Sequence, residues 1–533
     1  MIFKLNGLNR EISNDVIFKL IAVVFTCGIL YASFSFVKNK VIDLEPKINS
    51  FGYALNFYPG KEIRDKATEL DGDLKKFFIE VGQRKDYYQA CLEYQNNYYQ
   101  EEKNNLTKEE TRCFNVTMRD FRREGLQLND SEFIEMKKTI ADLATQYNKN
   151  LNEETTSFEY TREQLEGLPE SFFTENRKVR DNVYKVTLKY PDYIPCSKYC
   201  RDENVRKELY IAFNNRGSNE NTKLFEKTVV LRDKVANKLG YKTFADLQTE
   251  VKIVKNPQNV LTFLNNLNDL LTPLYNEEKV ELLNFAQNYE KMPLKKNKLD
   301  LWDNGFYMRA YEEEKYQIDQ EEVKKYFPLP QVKQGLFQVY QHLFSLVFEE
   351  VVTDNKWHQD VQLYKVKDKD SNELLGYFYL DMFPRDGKYG HAAAFEFMAG
   401  CDLPNGSRRP NIITMACNFD PSGCITFDDV VTFFHEFGHC IHYICGKPQL
   451  NKHSSFGVEW DAVELYSQAL EYFCYCDEVL SLLSKHVETG KQMPPDLVKK
   501  IKESKNVLTG HFHKRQLVFG LFDMQVHMTN FEN

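Results

Sequence analysis

Residues 435–439 read His-Glu-Phe-Gly-His within a long apolar-periodic stretch, Val430 to Cys445. The spacing predicts a helix, and on a helix two histidines four residues apart share one face, where both rings can reach a single metal ion. The glutamate beside the first histidine is then placed to take a proton from an attacking water. That combination is the signature of a zinc peptidase. By composition alone such a pattern arises by chance roughly once in fifty chains of this kind, so its surroundings have to supply the rest of the site.

A catalytic zinc keeps three protein ligands and leaves a position for water or substrate. His435 and His439 supply two. A second helix is expected from about Glu459 to Tyr475, with Val463, Leu470 and Phe473 as apolar anchors. It carries Asp461 and Glu464 one turn apart, so that one carboxylate can bind the metal while the other orients a ligand histidine. Glu464 is assigned as the third ligand and Asp461 as the outer acceptor, although spacing alone permits the reverse. Glu436, adjacent to His435 but not a ligand, is the candidate general base. His442 falls near the same face and is read as structural or orienting. Glu459 and Glu471 are read as solvated or hydrogen-bonded helix residues, and Cys440 and Cys445 as bystanders. A His/His/Glu set suits one zinc ion per chain and can also hold cobalt or manganese.

The surrounding sequence resembles the thimet oligopeptidase and neurolysin family of zinc oligopeptidases. The resemblance is carried by residues 428–475, with Val-Glu-x-x-Ser-Gln around Glu464, and by Leu380–Phe395 and Asn411–Phe419. Lys149–Thr156, Lys185–Tyr193 and Trp302–Pro328 extend it, so that it covers the chain from about residue 50 onward. It implies a mostly α-helical, two-lobed zincin-type metallopeptidase with a few small β-strands near the zinc site and a deep substrate channel. It implies an endopeptidase that cleaves internal bonds of short, unstructured peptides. Gly390, Ala392 and Ala393 would lie on an edge strand that pairs with the substrate backbone, because an unpaired strand edge offers sequence-independent hydrogen bonds. The alternative for these three is a strand whose small side chains serve packing.

Two departures from the family stand out. Tyr466 stands where many relatives have Pro. The sequence stops at Asn533, whereas family members continue into a helical region with a Gly-rich loop bearing Tyr and His groups for the oxyanion. Loss of one oxyanion donor costs about 3 kcal/mol. A peptide-binding pseudoenzyme, or an incomplete chain, is therefore the alternative to an active endopeptidase.

The net charge of −9 without a long basic cluster excludes nucleic acid as the main partner. The expected partners are short peptides, and the expected state is a monomer. The 12 cysteines are scattered rather than spaced as a disulfide framework. Two segments are expected: 1–45, unrelated to the family, and an oligopeptidase domain over 46–533. Residues 20–37 are 18 consecutive uncharged residues between Lys19 and Lys38. As a helix they would span about 27 Å, enough for a bilayer core. A signal-anchor helix and a membrane-anchored location are expected from them, with a cleaved signal peptide or a cytoplasmic protein as the alternative. Elsewhere the periodicity predicts helices over Phe133–Leu151, Lys234–Leu247, Val260–Leu271 (kinked or ended by Pro273) and Gln331–Phe348. Strands are expected at Val183–Lys189, and at Val361–Val366 and Leu374–Leu380 as a hairpin turned by Lys369–Asn372.

Overall fold

The computed structural model describes residues 46, 48–67, 70–71 and 84–531, apart from 129, 153, 176, 318–319, 386, 404, 420–422 and 455. The fold is mostly helical with small sheets, and the chain divides into two compact units. One comprises residues 1–129 and 320–498, the other 130–319 and 499–533.

The second unit combines helices with a three-stranded antiparallel sheet in the order Ser157–Thr161, Val183–Thr187, Lys178–Arg180. Its helix Ser131–Asn152 matches the periodic run, and the Asp130 carboxylate accepts the Glu132 and Phe133 amides at 2.9 and 3.3 Å. That satisfies two of the donors a helix start leaves open. The expected helix at 234–247 is two helices, Ser218–Lys238 and Phe244–Thr249. Gly240 at φ +84° turns the chain between them, a conformation that costs other residues about a kilocalorie or more. Pro273 does not end its helix, which runs from Pro257 to Asn288. A proline removes one backbone bond of the helix interior without ending it here. Buried Glu278 accepts the Gly510 and His511 amides at 3.0 and 2.9 Å, capping the helix Thr509–His527. Gly510 permits that approach, since a Cβ there would lie 3.0 Å from the Tyr275 backbone.

The first unit carries a five-stranded sheet in the order Leu346–Glu350, Gln362–Asp368, Leu374–Asp381, Asn411–Ala416, Ala393–Met398. Asn411–Ala416 runs parallel to Leu374–Asp381, and the remaining pairings are antiparallel. The expected hairpin is present, its turn held by Asp368, whose carboxylate accepts the Ser371 amide at 2.8 Å. The helix expected over 331–348 is instead Leu329–Phe344. Ser345 in the left-handed region (φ +51°) stops it, and Leu346–Glu350 becomes a strand that pairs with Gln362–Asp368.

Against this sheet lies the helix Phe427–Cys445, which contains the His-Glu-Phe-Gly-His motif. Thr426 and Asp429 form a reciprocal cap at its start, worth about 1 kcal/mol. Phe433, Phe434 and Phe437 are fully buried, and each contributes roughly 1.5–3 kcal/mol by leaving water. Phe437 meets the rings of Phe337, Tyr340, Phe348 and Phe378 at centroid distances of 4.9–5.6 Å. At the other end, Asn411 donates to the Ile444 and Gly446 carbonyls at 3.2 and 3.1 Å, so a sheet residue fixes where the helix stops.

The membrane-anchored localisation is corrected: among the described residues no helix is long and apolar enough to cross a membrane. The 32-residue helix Pro257–Asn288 has the length but carries Asp269, Glu277, Glu278, Lys279 and Glu281. Residues 20–37, on which that expectation rested, lie outside the described residues.

Candidate metal centre and active site

His435 and His439 project from one face of the Phe427–Cys445 helix, with ring centroids 4.9 Å apart. Glu464 meets them at the start of the short helix Leu465–Glu471. Its Oε2 lies 3.2 Å from His435 Nε2 and 3.1 Å from His439 Nε2. One donor atom from each of the three residues falls within 4.8 Å of the others. A tetrahedral ion with bonds of 2.0–2.1 Å has its ligand atoms about 3.3 Å apart, so the donor set fits a zinc-sized cation by spacing as well as by chemistry.

Two close contacts hold the carboxylate there. Ser467 Oγ donates to Glu464 Oε2 at 2.8 Å. Gly438 lets the two helices touch, because a Cβ at that position would lie 3.0 Å from Ser467 Cα and 3.2 Å from Leu470 Cδ1. Elsewhere in a helix, Gly to Ala stabilises by up to about 1 kcal/mol. Here Gly438→Ala is expected to lower the melting temperature and weaken metal binding, because overpacking against a backbone atom costs about 1–3 kcal/mol. Thermal melts with and without metal check this, and a variant as stable as the parent with unchanged affinity would refute the close-packing argument.

The region from 459 to 475 is not one helix. It is a 3-10 turn at Trp460–Ala462, the helix Leu465–Glu471 and a further 3-10 turn at Tyr472–Tyr475. This breaks the alignment on which the pairing of Asp461 with a histidine rested. The acceptor facing His435 is Glu471, whose Oε1 lies 2.6 Å from Nδ1. With Nε2 turned to Glu464, both nitrogens of His435 are accounted for, and His439 Nδ1 is buried without a hydrogen-bond partner. The carboxylate hydrogen-bonded to His435 Nδ1, the place expected of Asp461, is Glu471. Sequence reasoning missed it, although Glu471 lies seven residues after Glu464, two turns along the same face. His442 lies outside the cluster and packs its ring 4.5 Å from that of Tyr466.

Glu436 is buried, at 8% exposure, and is not a member of the ligand cluster. Burial pushes its carboxyl up to about 7; His435 and a hydrogen bond from the Ala394 backbone pull against this, and the Glu464 charge adds to it. The Glu471 hydrogen bond raises His435, whereas burial lowers His439. Ala394 belongs to the edge strand Ala393–Met398, which pairs with Asn411–Ala416 on one side. Ala393 opens that strand, while Ala392 and Gly390 precede it in the approach segment, Gly390 exposed. The edge thus begins beside the Glu436 carboxyl.

The helical fold, the His/His/Glu donor set and the comparisons with known proteins agree on a class, a metallopeptidase. The sequence model of Peptidase family M3 matches residues 196–533, more than half of the chain, and the chain belongs to that family. It is 34% identical over 515 residues to the thimet-like oligopeptidase of Dictyostelium discoideum, covering 90% of this chain and 74% of that one. Saccharolysin of Saccharomyces cerevisiae is 33% identical over 516 residues, covering 91% and 71%. Oligopeptidase A of Escherichia coli is 30% identical over 490 residues, covering 87% and 71%.

Proposed function

We propose that the chain is a zinc-dependent, zincin-type endopeptidase that hydrolyses internal bonds of short peptides, with His435, His439 and Glu464 holding one zinc ion and Glu436 as general base. The observation that carries this reading is the convergence of two imidazole Nε2 atoms and one carboxylate oxygen within 4.8 Å, beside a buried, non-ligating carboxyl. Bound there, zinc supplies Lewis acidity toward water and the scissile carbonyl. Glu436 takes the proton of the attacking water and hands it to the leaving amine. Glu471 fixes the His435 ring through Nδ1, which leaves Nε2 to the metal. The substrate backbone extends along the edge that starts at Gly390, Ala392 and Ala393, where main-chain bonds bind a peptide irrespective of its sequence. Short peptides as substrates follow from the family likeness, and the chain acts as a monomer.

The test pairs metal content with turnover. The protein is stripped with a chelator, reloaded, and assayed on a quenched fluorescent peptide of about ten residues. One zinc per chain, loss of cleavage on stripping and return on reloading are expected, with His435→Ala binding none. One bound zinc with no cleavage of any peptide would instead mark a peptide-binding chain without turnover.

A further inference from the structure

We propose that the helix Lys108–Arg123 is a strap that positions the third metal ligand, with Glu109 and Arg112 as positioning residues; this rests on the reading of His435, His439 and Glu464 as a metal site. Between Cys445, where the motif helix ends, and Glu464 the chain forms only two short 3-10 turns, Asn451–His453 and Trp460–Ala462, among the described residues. A link of this length retains conformational freedom unless something outside it removes that freedom. Glu464 also remains half-exposed, so burial does not fix it.

The strap ties the link at three points. The Glu109 carboxylate accepts the Gln449 amide at 2.9 Å on one oxygen and the Leu450 amide at 2.8 Å on the other. Lys452 Nζ donates to Thr117 Oγ1 at 3.0 Å and lies 3.6 Å from Asp120 Oδ2. Arg112 Nη2 reaches Glu459 Oε1 at 3.0 Å, five residues before the ligand. Residues 109, 112, 117 and 120 fall on one side of a 3.6-residue helix. Between the ties the link is folded tightly on itself: a Cβ on Gly457 would lie 2.8 Å from the Lys452 carbonyl and 2.9 Å from that of Ser454.

The strap is itself anchored. Thr107 and Glu110 form a reciprocal cap at its start, and Phe121 is buried against Tyr87 and Tyr88. Among the ties, the exposed Arg112–Glu459 pair is weak alone. A carboxylate accepting two backbone amides is stronger, and it ends the freedom of the link early, at 449–450. Neither Glu109 nor Arg112 touches a ligand atom, so their effect reaches the metal through the geometry of the link.

The experiment measures zinc affinity by chelator competition in the parent, Glu109→Ala, Glu109→Gln and Arg112→Met, and amide exchange at Gln449 and Leu450 in the metal-free proteins. Glu109→Ala is expected to raise the zinc Kd about tenfold, the scale of lost outer support at metal sites, and to speed exchange at both amides. Glu109→Gln, which keeps an acceptor oxygen, is expected to fall between it and the parent. Arg112→Met is expected to raise the Kd by less than Glu109→Ala. A parent that binds zinc, with a Glu109→Ala variant of equal affinity, would overturn the strap alone. If Glu109→Ala does not fold, an unchanged Kd in both Glu109→Gln and Arg112→Met overturns it equally. A parent that binds no zinc would overturn the metal reading and the strap with it.

Discussion

Glu436→Gln is expected to retain one zinc per chain and to lose about two to four orders of magnitude in kcat, the usual contribution of a positioned general base. The amide matches the carboxyl in size, so the buried site suffers little. It cannot accept the proton of the attacking water. Metal content should be untouched because Glu436 is not among the converging donor atoms. A base works only when ionised, so kcat/KM of the parent should rise with pH through the Glu436 pKa. In the metal-free site burial holds that carboxyl near 7. A bound cation favours the ionised form, so the acid limb of the loaded protein should lie below 7. Metal analysis and initial rates on a quenched fluorescent peptide decide the matter. A variant within tenfold of the parent would remove Glu436 from the role of base.

The geometry around that base was unevenly legible in the sequence. The motif helix was readable nearly to its ends, since its apolar period is strong and the stretch Val430 to Cys445 falls inside the observed Phe427–Cys445. Glu464, expected as the third ligand, does converge with the two histidines. What periodicity could not supply was the break in the helix expected around it. Val463, Leu470 and Phe473 fit a continuous helix equally well, whereas the chain forms a 3-10 turn at Trp460–Ala462 and an α-helix only from Leu465. With the break hidden, Asp461 looked like the histidine's acceptor and Glu471 like one more polar residue. The order of the central sheet was not legible from periodicity for a related reason. Strands such as Asn411–Ala416, buried nearly throughout, lack the alternation that marks a half-exposed strand. Their order is set by long-range pairing, and the hairpin between Gln362 and Asp381 was readable because its turn is local.

Asp381→Asn should cost about 3–5 kcal/mol, the range for removing one partner from a buried ionic cluster. Asp381 closes the strand Leu374–Asp381 at 2% exposure. Its carboxylate accepts Trp357 Nε1 at 2.6 Å and two Arg385 nitrogens at 2.7 Å each, and it lies 3.0 Å from Lys388 Nζ. Lys388, its side chain fully buried, also donates to the Asp381, Phe383 and Cys417 carbonyls, and burial pushes its ammonium down. One carboxylate thus balances two cations. The asparagine would leave both of them without a counter-charge. Burial raises the Asp381 carboxyl, but Arg385, Lys388 and Trp357 outweigh it, so the group sits below its ordinary value. A carboxyl depressed in the folded state contributes stability that is present above its unfolded pKa of about 3.9 and is lost as pH falls through the folded value. The stability gap between parent and Asp381→Asn should therefore be full at neutral pH and close as the acid limb is crossed, because the parent then carries a neutral group as well. Denaturant melts between pH 7 and pH 3 measure that gap, and a difference that stays constant across the range would show that the charge is not what holds the loop. The functional consequence is local. The cluster ties down the segment between Asp381 and Lys388 that leads to Gly390 and Ala393, so at neutral pH the folded fraction of the variant should show a raised KM with a smaller change in kcat: the edge proposed to receive the peptide loosens, while the proposed metal ligands His435, His439 and Glu464 sit on other elements and keep their places.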